Sequence, residues 1–292
     1  MSEPLHWERD GREWPHRAAS RFVEAAGLVW HVQELGEGPV AVLLHGTGAA
    51  THSWRGLMPL LAARYRVIAM DLPGHGFTRG RPRRGLTLPG MAEAVSGLLE
   101  VLGAEPELLI GHSAGAAIAL RMLDDRQAAS PAVIGLNPAL MPFPGAFAPL
   151  FQSLANVLVL NPLIPRLFAW TARREGEPAR FLAKSTGSRI DAEGLRCYAA
   201  LFGNARHCSG ALEMMAGWDL AGLQPELPAI AAPVLLLHAD RDSAVPTRTV
   251  ERAAKLLPNA RLTVLAGLGH LAHEERPDLV AEAIMDFAPI DA

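Results

Sequence analysis

The pentapeptide Gly111-His112-Ser113-Ala114-Gly115 constrains this chain more than any other stretch. It follows the apolar run Leu108-Leu109-Ile110 and opens a run of small residues, 114–121, suited to a helix lying close against a sheet. A strand, a sharp turn and a helix in that order push the central serine into a strained backbone conformation and expose its hydroxyl. Larger side chains at the flanking glycines would collide with the neighbouring strand or helix, so the G-x-S-x-G spacing is a steric requirement. The same pentapeptide is compatible with an ordinary serine in a tight turn. Partner residues elsewhere in the chain must decide between the two readings.

Around this turn the hydrophobic pattern alternates between two periods. Apolar or period-two runs at 22–33, 40–44, 67–70, 108–110, 133–136, 234–237 and 262–265 predict strands, the first run being a hairpin. Helical patterns at 54–63, 88–102, 114–124, 247–257 and 277–287 fall between them, several opened by Pro or Thr. The alternation predicts an α/β fold: a mostly parallel eight-stranded sheet with helices on both faces. It breaks between about 139 and 230, where Pro-punctuated helical sequence replaces strands. The expected organisation is therefore a core, 1–138 with an N-terminal extension 1–20, an inserted helical cap, 139–230, and the rest of the core, 231–292.

The cap region changes character along its length. Its first half is rich in large apolar residues, among them Leu140, Phe143, Phe151, Leu163, Leu167 and Trp170, which suits a pocket roof or a surface that meets a membrane or a partner. Its second half carries Arg173, Arg174, Arg180, Lys184, Arg189, Arg196 and Arg206, expected as a solvated face with anion recognition as the sharper alternative.

A chain of 292 residues, half of them hydrophobic, buries one large core. Its net charge of −3 and its scattered basic residues argue against nucleic-acid binding. Two cysteines, Cys197 and Cys208, make neither a disulfide framework nor a metal-ligand pattern, so a reducing compartment is expected and no cofactor or metal is implied. The polar N-terminus lacks a signal-peptide core, and no stretch of eighteen apolar residues occurs; the expectation is a cytoplasmic protein with peripheral membrane contact as an option.

A reactive serine needs a base, a group that orients the base, and donors for an oxyanion. His270, in the glycine-rich loop 267–271 beyond the last strand, is the expected base. His273 competes, but the Glu274-Glu275-Arg276-Pro277 that follows reads as a helix start, with His273 at the surface or in the first turn. The acid should come from the loop after 234–237, where Asp242 is favoured over Asp240 because it stands shortly before the Val245-Pro246 that opens a helix. Oxyanion donors are expected from the backbone of Ala114 and of Thr47, with Gly46 as the substitute for Thr47. His45 is expected to bond within its own loop, 71–76 to form a structural turn, and Arg79, Arg81, Arg83 and Arg84 to face solvent.

The order Ser, Asp, His, with the His45-Gly46 loop, the 71–76 turn and Gly269-His270, resembles the α/β-hydrolase superfamily over nearly the whole chain. Within it, the stretches 44–55, 111–117, 214–220 and 267–275 and the N-terminal Trp7-Glu8-Arg9-Asp10-Gly11 are similar to the magnesium chelatase accessory proteins of bacteriochlorophyll biosynthesis. One departure is Asn137-Pro138-Ala139-Leu140, where that group is expected to read Asn-Gly-Ala-Leu. The resemblance implies an α/β-hydrolase fold, a role near Mg2+ insertion into a porphyrin, and magnesium chelatase subunits as partners. Two functions follow as expectations: a serine hydrolase acting on an ester-like or other carbonyl bond of a hydrophobic substrate such as a porphyrin, or a tetrapyrrole-binding accessory protein that uses the same scaffold without turnover.

Overall fold

Alternation along the central strands sends successive side chains to opposite sides of one sheet, and both sides are dry. Val42, Leu44, Leu109 and Leu236 join one apolar cluster with Trp30 and Met70. Leu43, Ile110, Ile134, Leu235 and Leu237 join the other with Trp54 and Val67. Strands buried on both faces read as continuous apolar runs, and this is why 40–44 and 234–237 show no polar alternation.

The computed structural model describes residues 3–123, 131–142, 161 and 163–288. Its strands are β1 Ser20–Ala25, β2 Leu28–Leu35, β3 Val40–Leu44, β4 Arg66–Met70, β5 Arg79–Gly80, β6 Pro106–His112, β7 Ala132–Leu136, β8 Val234–Ala239 and β9 Ala260–Leu265. The sheet runs β1-β2-β4-β3-β6-β7-β8-β9, parallel from β4 onward and antiparallel at β1-β2 and β2-β4. The expected eight strands are present; the ninth is the two-residue β5, paired with β2 off the main path and too short to leave a pattern.

Helices Leu88–Val101, Ala114–Arg121 and Thr247–Leu256 cover one face, and Leu57–Leu61 and Pro277–Phe287 cover the other. The 88–101 helix starts where the Thr87 side chain accepts the Gly90 N–H at 3.2 Å, with Pro89 in its first turn. The expected helix over 54–63 divides into a 3-10 turn, Thr51–Trp54, and the helix Leu57–Leu61.

After β7 the chain leaves the sheet and returns at β8. Between them lie helices Leu163–Ala172, Glu177–Thr186, Ala192–Phe202, Ala205–Ala216 and Leu220–Leu223. Much of the apolar first half of this region, including Phe143 and Phe151, lies outside the described residues.

Parallel pairing brings the carboxyl ends of the central strands to one edge. Leu44 lies beside Gly111, Gly111 beside Gly135, Leu136 beside Leu237 and Ala239 beside Leu265. The loops that follow, beginning at His45, Ser113, Asn137, Asp240 and Ala266, therefore emerge side by side, where ligands bind in open α/β sheets.

Candidate active site

Ser113 stands at the turn between β6 and the helix Ala114–Arg121 with φ 51° and ψ −114°. A non-glycine residue held there costs roughly 1–3 kcal/mol, which the surroundings must offset. Its N–H donates to Leu136 O at 2.9 Å, and its carbonyl accepts from Ala116 and Ala139 N–H, both at 3.2 Å. The flanking glycines are forced by contact. A Cβ on Gly115 would lie 2.0 Å from Leu44 O, and one on Gly111 would lie 2.3 Å from Ala116 N. The small helix residues allow this approach: 114–120 are all buried.

Of the two acidic candidates, Asp242 faces His270. The His270 Nδ1–H donates to Asp242 Oδ2 at 2.7 Å, while Asp242 Oδ1 accepts the N–H groups of Ala244 at 2.7 Å and Val245 at 2.9 Å. Three donors hold one fully buried carboxylate, fixing its plane. Asp240 instead accepts the Gly267 N–H at 2.7 Å and lies exposed, bracing the loop from outside. A carboxylate on Nδ1 sets the tautomer and leaves the His270 Nε2 lone pair free to take a proton.

Gly46 presses against the serine turn. A Cβ on it would lie 3.2 Å from Ser113 Cβ and 2.6 Å from His112 Nδ1. Next to it, the Thr47 N–H, like that of Ala114, has no acceptor among the described residues. His45 is fully buried and stays within this framework, as expected: its Nδ1–H donates to Gly46 O at 2.8 Å and its Nε2 accepts the Leu72 N–H at 2.9 Å. The 71–76 turn is anchored by buried Asp71, which takes the His31 Nδ1–H and the N–H groups of Thr51 and Phe77, each at 2.8 Å. These contacts hold its carboxyl far below the usual carboxylate range against the burial that opposes them. Arg79, Arg81, Arg83 and Arg84 are exposed.

Of the two placements expected for His273, the first turn of a helix holds and the surface does not. The residue is 1% exposed, in the short helix Ala272–Glu275, stacked between His112 at 4.5 Å and Trp54 at 4.8 Å. Burial, reinforced by His270 and Arg55, pushes it down to about 3. The residues after it explain the burial: Glu274 is fully buried against Arg55 and accepts the Tyr198 hydroxyl at 2.7 Å, so the turn is drawn inward. Desolvation pushes Glu274 up to about 7, with Arg55 and Tyr198 working the other way.

Three features of the site escaped the sequence reading. Asn137, left-handed at φ 44° and buried, ties the end of β8 to the His270 loop: its Oδ1 accepts the Ala239 N–H at 2.7 Å, and its Nδ2 donates to Gly269 O at 3.0 Å and His270 O at 2.6 Å. His112 donates from Nε2 to the same His270 carbonyl at 2.9 Å. The end of helix Glu177–Thr186 and the residues just after it supply the third. Thr186 O accepts the His270 N–H at 2.8 Å, and Ser188 Oγ accepts the Leu271 N–H at 2.8 Å. Gly187 carried a trace of this, since at φ 71° a Cβ would meet Arg241 O at 2.3 Å.

A groove of about 310 Å³, lined by Gly74, Thr78, Arg79, Arg81 and Arg206 among others, lies apart: none of Ser113, Asp242 or His270 borders it. Among the described residues no cluster of three or more His, Cys, Asp or Glu could hold a metal.

Residues 41–283 match the model of the alpha/beta hydrolase family, and the chain belongs to that family. It is 41% identical over 279 residues to the magnesium-chelatase 30 kDa subunit of Rhodobacter capsulatus, covering 94% of this chain and 96% of that protein, in keeping with the resemblance read from the sequence. It is also 31% identical over 268 residues to a pimeloyl-[acyl-carrier protein] methyl ester esterase of Aeromonas hydrophila, covering 88% and 98%. Among solved structures, a bacterial membrane phospholipase A superposes with a TM-score of 0.74 at 26% identity, covering 92% of this chain and 84% of that one.

Proposed function

We propose that this protein is a serine hydrolase that cleaves an ester-like or other carbonyl bond in a hydrophobic substrate, and that it serves bacteriochlorophyll synthesis near the magnesium chelatase step. The observation that carries the reading is the 2.7 Å bond from His270 to buried Asp242 at the sheet edge where strained Ser113 emerges. In this mechanism His270 Nε2 takes the Ser113 hydroxyl proton as the serine oxygen attacks the carbonyl carbon. The N–H groups of Thr47 and Ala114 hold the oxyanion, each such donor being worth about 3 kcal/mol of barrier. His270 then returns the proton to the leaving alcohol, and water, activated the same way, releases the acyl group. The helices within 139–230 act as a cap over this edge, and a porphyrin with its flat apolar ring and carboxylates suits them. On this reading the protein works in the cytoplasm, with chelatase subunits as partners.

A second reading rests on the name of one relative, a magnesium-chelatase subunit. Here the chain binds a tetrapyrrole or the chelatase, and Ser113 turns nothing over. A fluorophosphonate probe separates the two. Native protein should label at Ser113 and the Ser113→Ala variant should not; native protein that stays unlabelled overturns the hydrolase. Complementation of a deletion strain gives the biological answer: full rescue by Ser113→Ala favours the accessory reading, and failure by a folded variant favours catalysis.

A further inference from the structure

The helix Leu163–Ala172 has two apolar faces, and folding accounts for one. Pro165, Ala169 and Ala172 turn inward, with Ala169 packing beside Ala205 and Cys208. On the opposite face, at i, i+4 and i+7, Leu163 is 62%, Leu167 60% and Trp170 55% exposed. Large apolar residues in helical register toward water contribute nothing to the core, and a contiguous exposed stripe of this kind marks an interaction surface.

The surround of this stripe is basic. Arg166 flanks it, and the Arg174 guanidinium lies 4.5 Å over the Trp170 ring, a cation held at the edge of the apolar face. The helix carries no acidic residue. The next helix, Glu177–Thr186, exposes Phe181 with Lys184 three positions on along the same side, while the neighbouring Arg180 pairs with Glu177. Residues 163–189 hold six basic and two acidic side chains in a chain of net charge −3, so cations are concentrated here against the overall balance. Leu and Trp on one face with Arg and Lys around them is the pattern of a helix that lies in the headgroup region of an anionic bilayer.

We propose that the outward face of helix Leu163–Ala172, with Leu163, Leu167 and Trp170 as inserted side chains and Arg166 and Arg174 as headgroup contacts, docks this protein on anionic lipid membranes. Among the described residues no helix is long and apolar enough to cross a membrane, so the contact is peripheral. Charge complementarity selects lipid phosphate as the occupant: a second copy would bring the same arginines against one another. The proposal is independent of whether Ser113 is catalytic.

The test is sedimentation of the full-length protein with vesicles of equimolar phosphatidylglycerol and phosphatidylcholine, against vesicles of phosphatidylcholine alone. Binding is expected on the anionic vesicles, falling about tenfold when each of Leu167→Glu and Trp170→Glu is introduced, because an inserted apolar side chain becomes a charge. Arg166→Glu with Arg174→Glu should reduce binding to the level of neutral vesicles. These positions are exposed, and circular dichroism and melting should match the parent. Absence of binding to either vesicle overturns the proposal. So does binding that the Leu167→Glu and Trp170→Glu variants leave unchanged. Light scattering that finds a dimer dissociated by Leu167→Glu, without vesicle binding, would assign the face to self-association instead.

Discussion

Replacing Asn137 by aspartate changes one NH2 group to an oxygen and leaves shape untouched, so its consequence can be worked from three contacts. The acceptor side survives, because one carboxylate oxygen can still take the Ala239 N–H now bonded at 2.7 Å. The other oxygen would face the carbonyls of Gly269 and His270, where Nδ2 now stands at 3.0 and 2.6 Å. Two hydrogen bonds disappear, about 1 kcal/mol each, and acceptor meets acceptor in a buried site. A carboxylate at a position only 1% exposed is costly, so Asn137→Asp should be destabilised by about 2–4 kcal/mol at neutral pH. Protonation restores one donor, giving the loss a pH signature. The new carboxyl has a folded pKa above its unfolded one; the native state therefore keeps a proton that the unfolded state releases. The stability deficit then shrinks as pH falls from the folded pKa toward about 4, by up to about 1.4 kcal/mol per pH unit. At about 2 °C per kcal/mol for a chain of this size, melting should drop by about 4–8 °C at pH 7.5 and by less at pH 5.5, each relative to the parent at the same pH. Labelling of Ser113 by fluorophosphonate should slow as well, since the His270 loop loses its tie to β8. A variant melting within 1 °C of the parent at pH 7.5, with unchanged labelling, would refute the clamp.

Two further outcomes follow from the same edge of the sheet. Asp242→Asn should cut labelling of Ser113 by two or more orders of magnitude by unsettling the His270 tautomer, whereas Asp240→Asn should leave it within about threefold; equal effects would show that the 2.7 Å contact does not orient the base. Acid should unfold the protein early. Burial pushes His207 down to about 4 and His273 down to about 3, and holds His52, His75 and His112 well below the ordinary imidazole value. Each folded pKa lies below the unfolded value near 6.5, so the stability is complete above that pH and is lost as pH falls toward 4, at roughly 2 kcal/mol by pH 5 for each of His207 and His273. Glu274, pushed up to about 7, works in the opposite sense over this window but is one group against five. A melting temperature that stays level from pH 7 to 5 would contradict this.

Local pattern carried the fold because its causes are local. The strand over 40–44 and the helix over 277–287 emerge with the expected bounds, since period and flanking Pro are properties of neighbouring residues. Residues whose environment comes from elsewhere read less well. The Glu274-Glu275 pair reads as a helix start, with nothing local to turn it inward; Arg55, more than two hundred positions away, draws Glu274 into the interior and carries His273 with it. The role of Asn137 left no mark in the local pattern, because its partners, the end of β8 and the His270 loop, lie more than a hundred residues downstream.

The sequence by itself determined the α/β scaffold, the order of its strands along the chain, and the need for glycine on both sides of Ser113. Those follow from backbone sterics and side-chain periodicity. Only the tertiary structure decided that Asp242 and not Asp240 meets His270, that His273 is buried, and that Asn137, His112 and Thr186 hold the His270 loop. Side-chain direction in a loop is set by which other loops arrive beside it, and parallel strand pairing brings together segments that no local pattern connects.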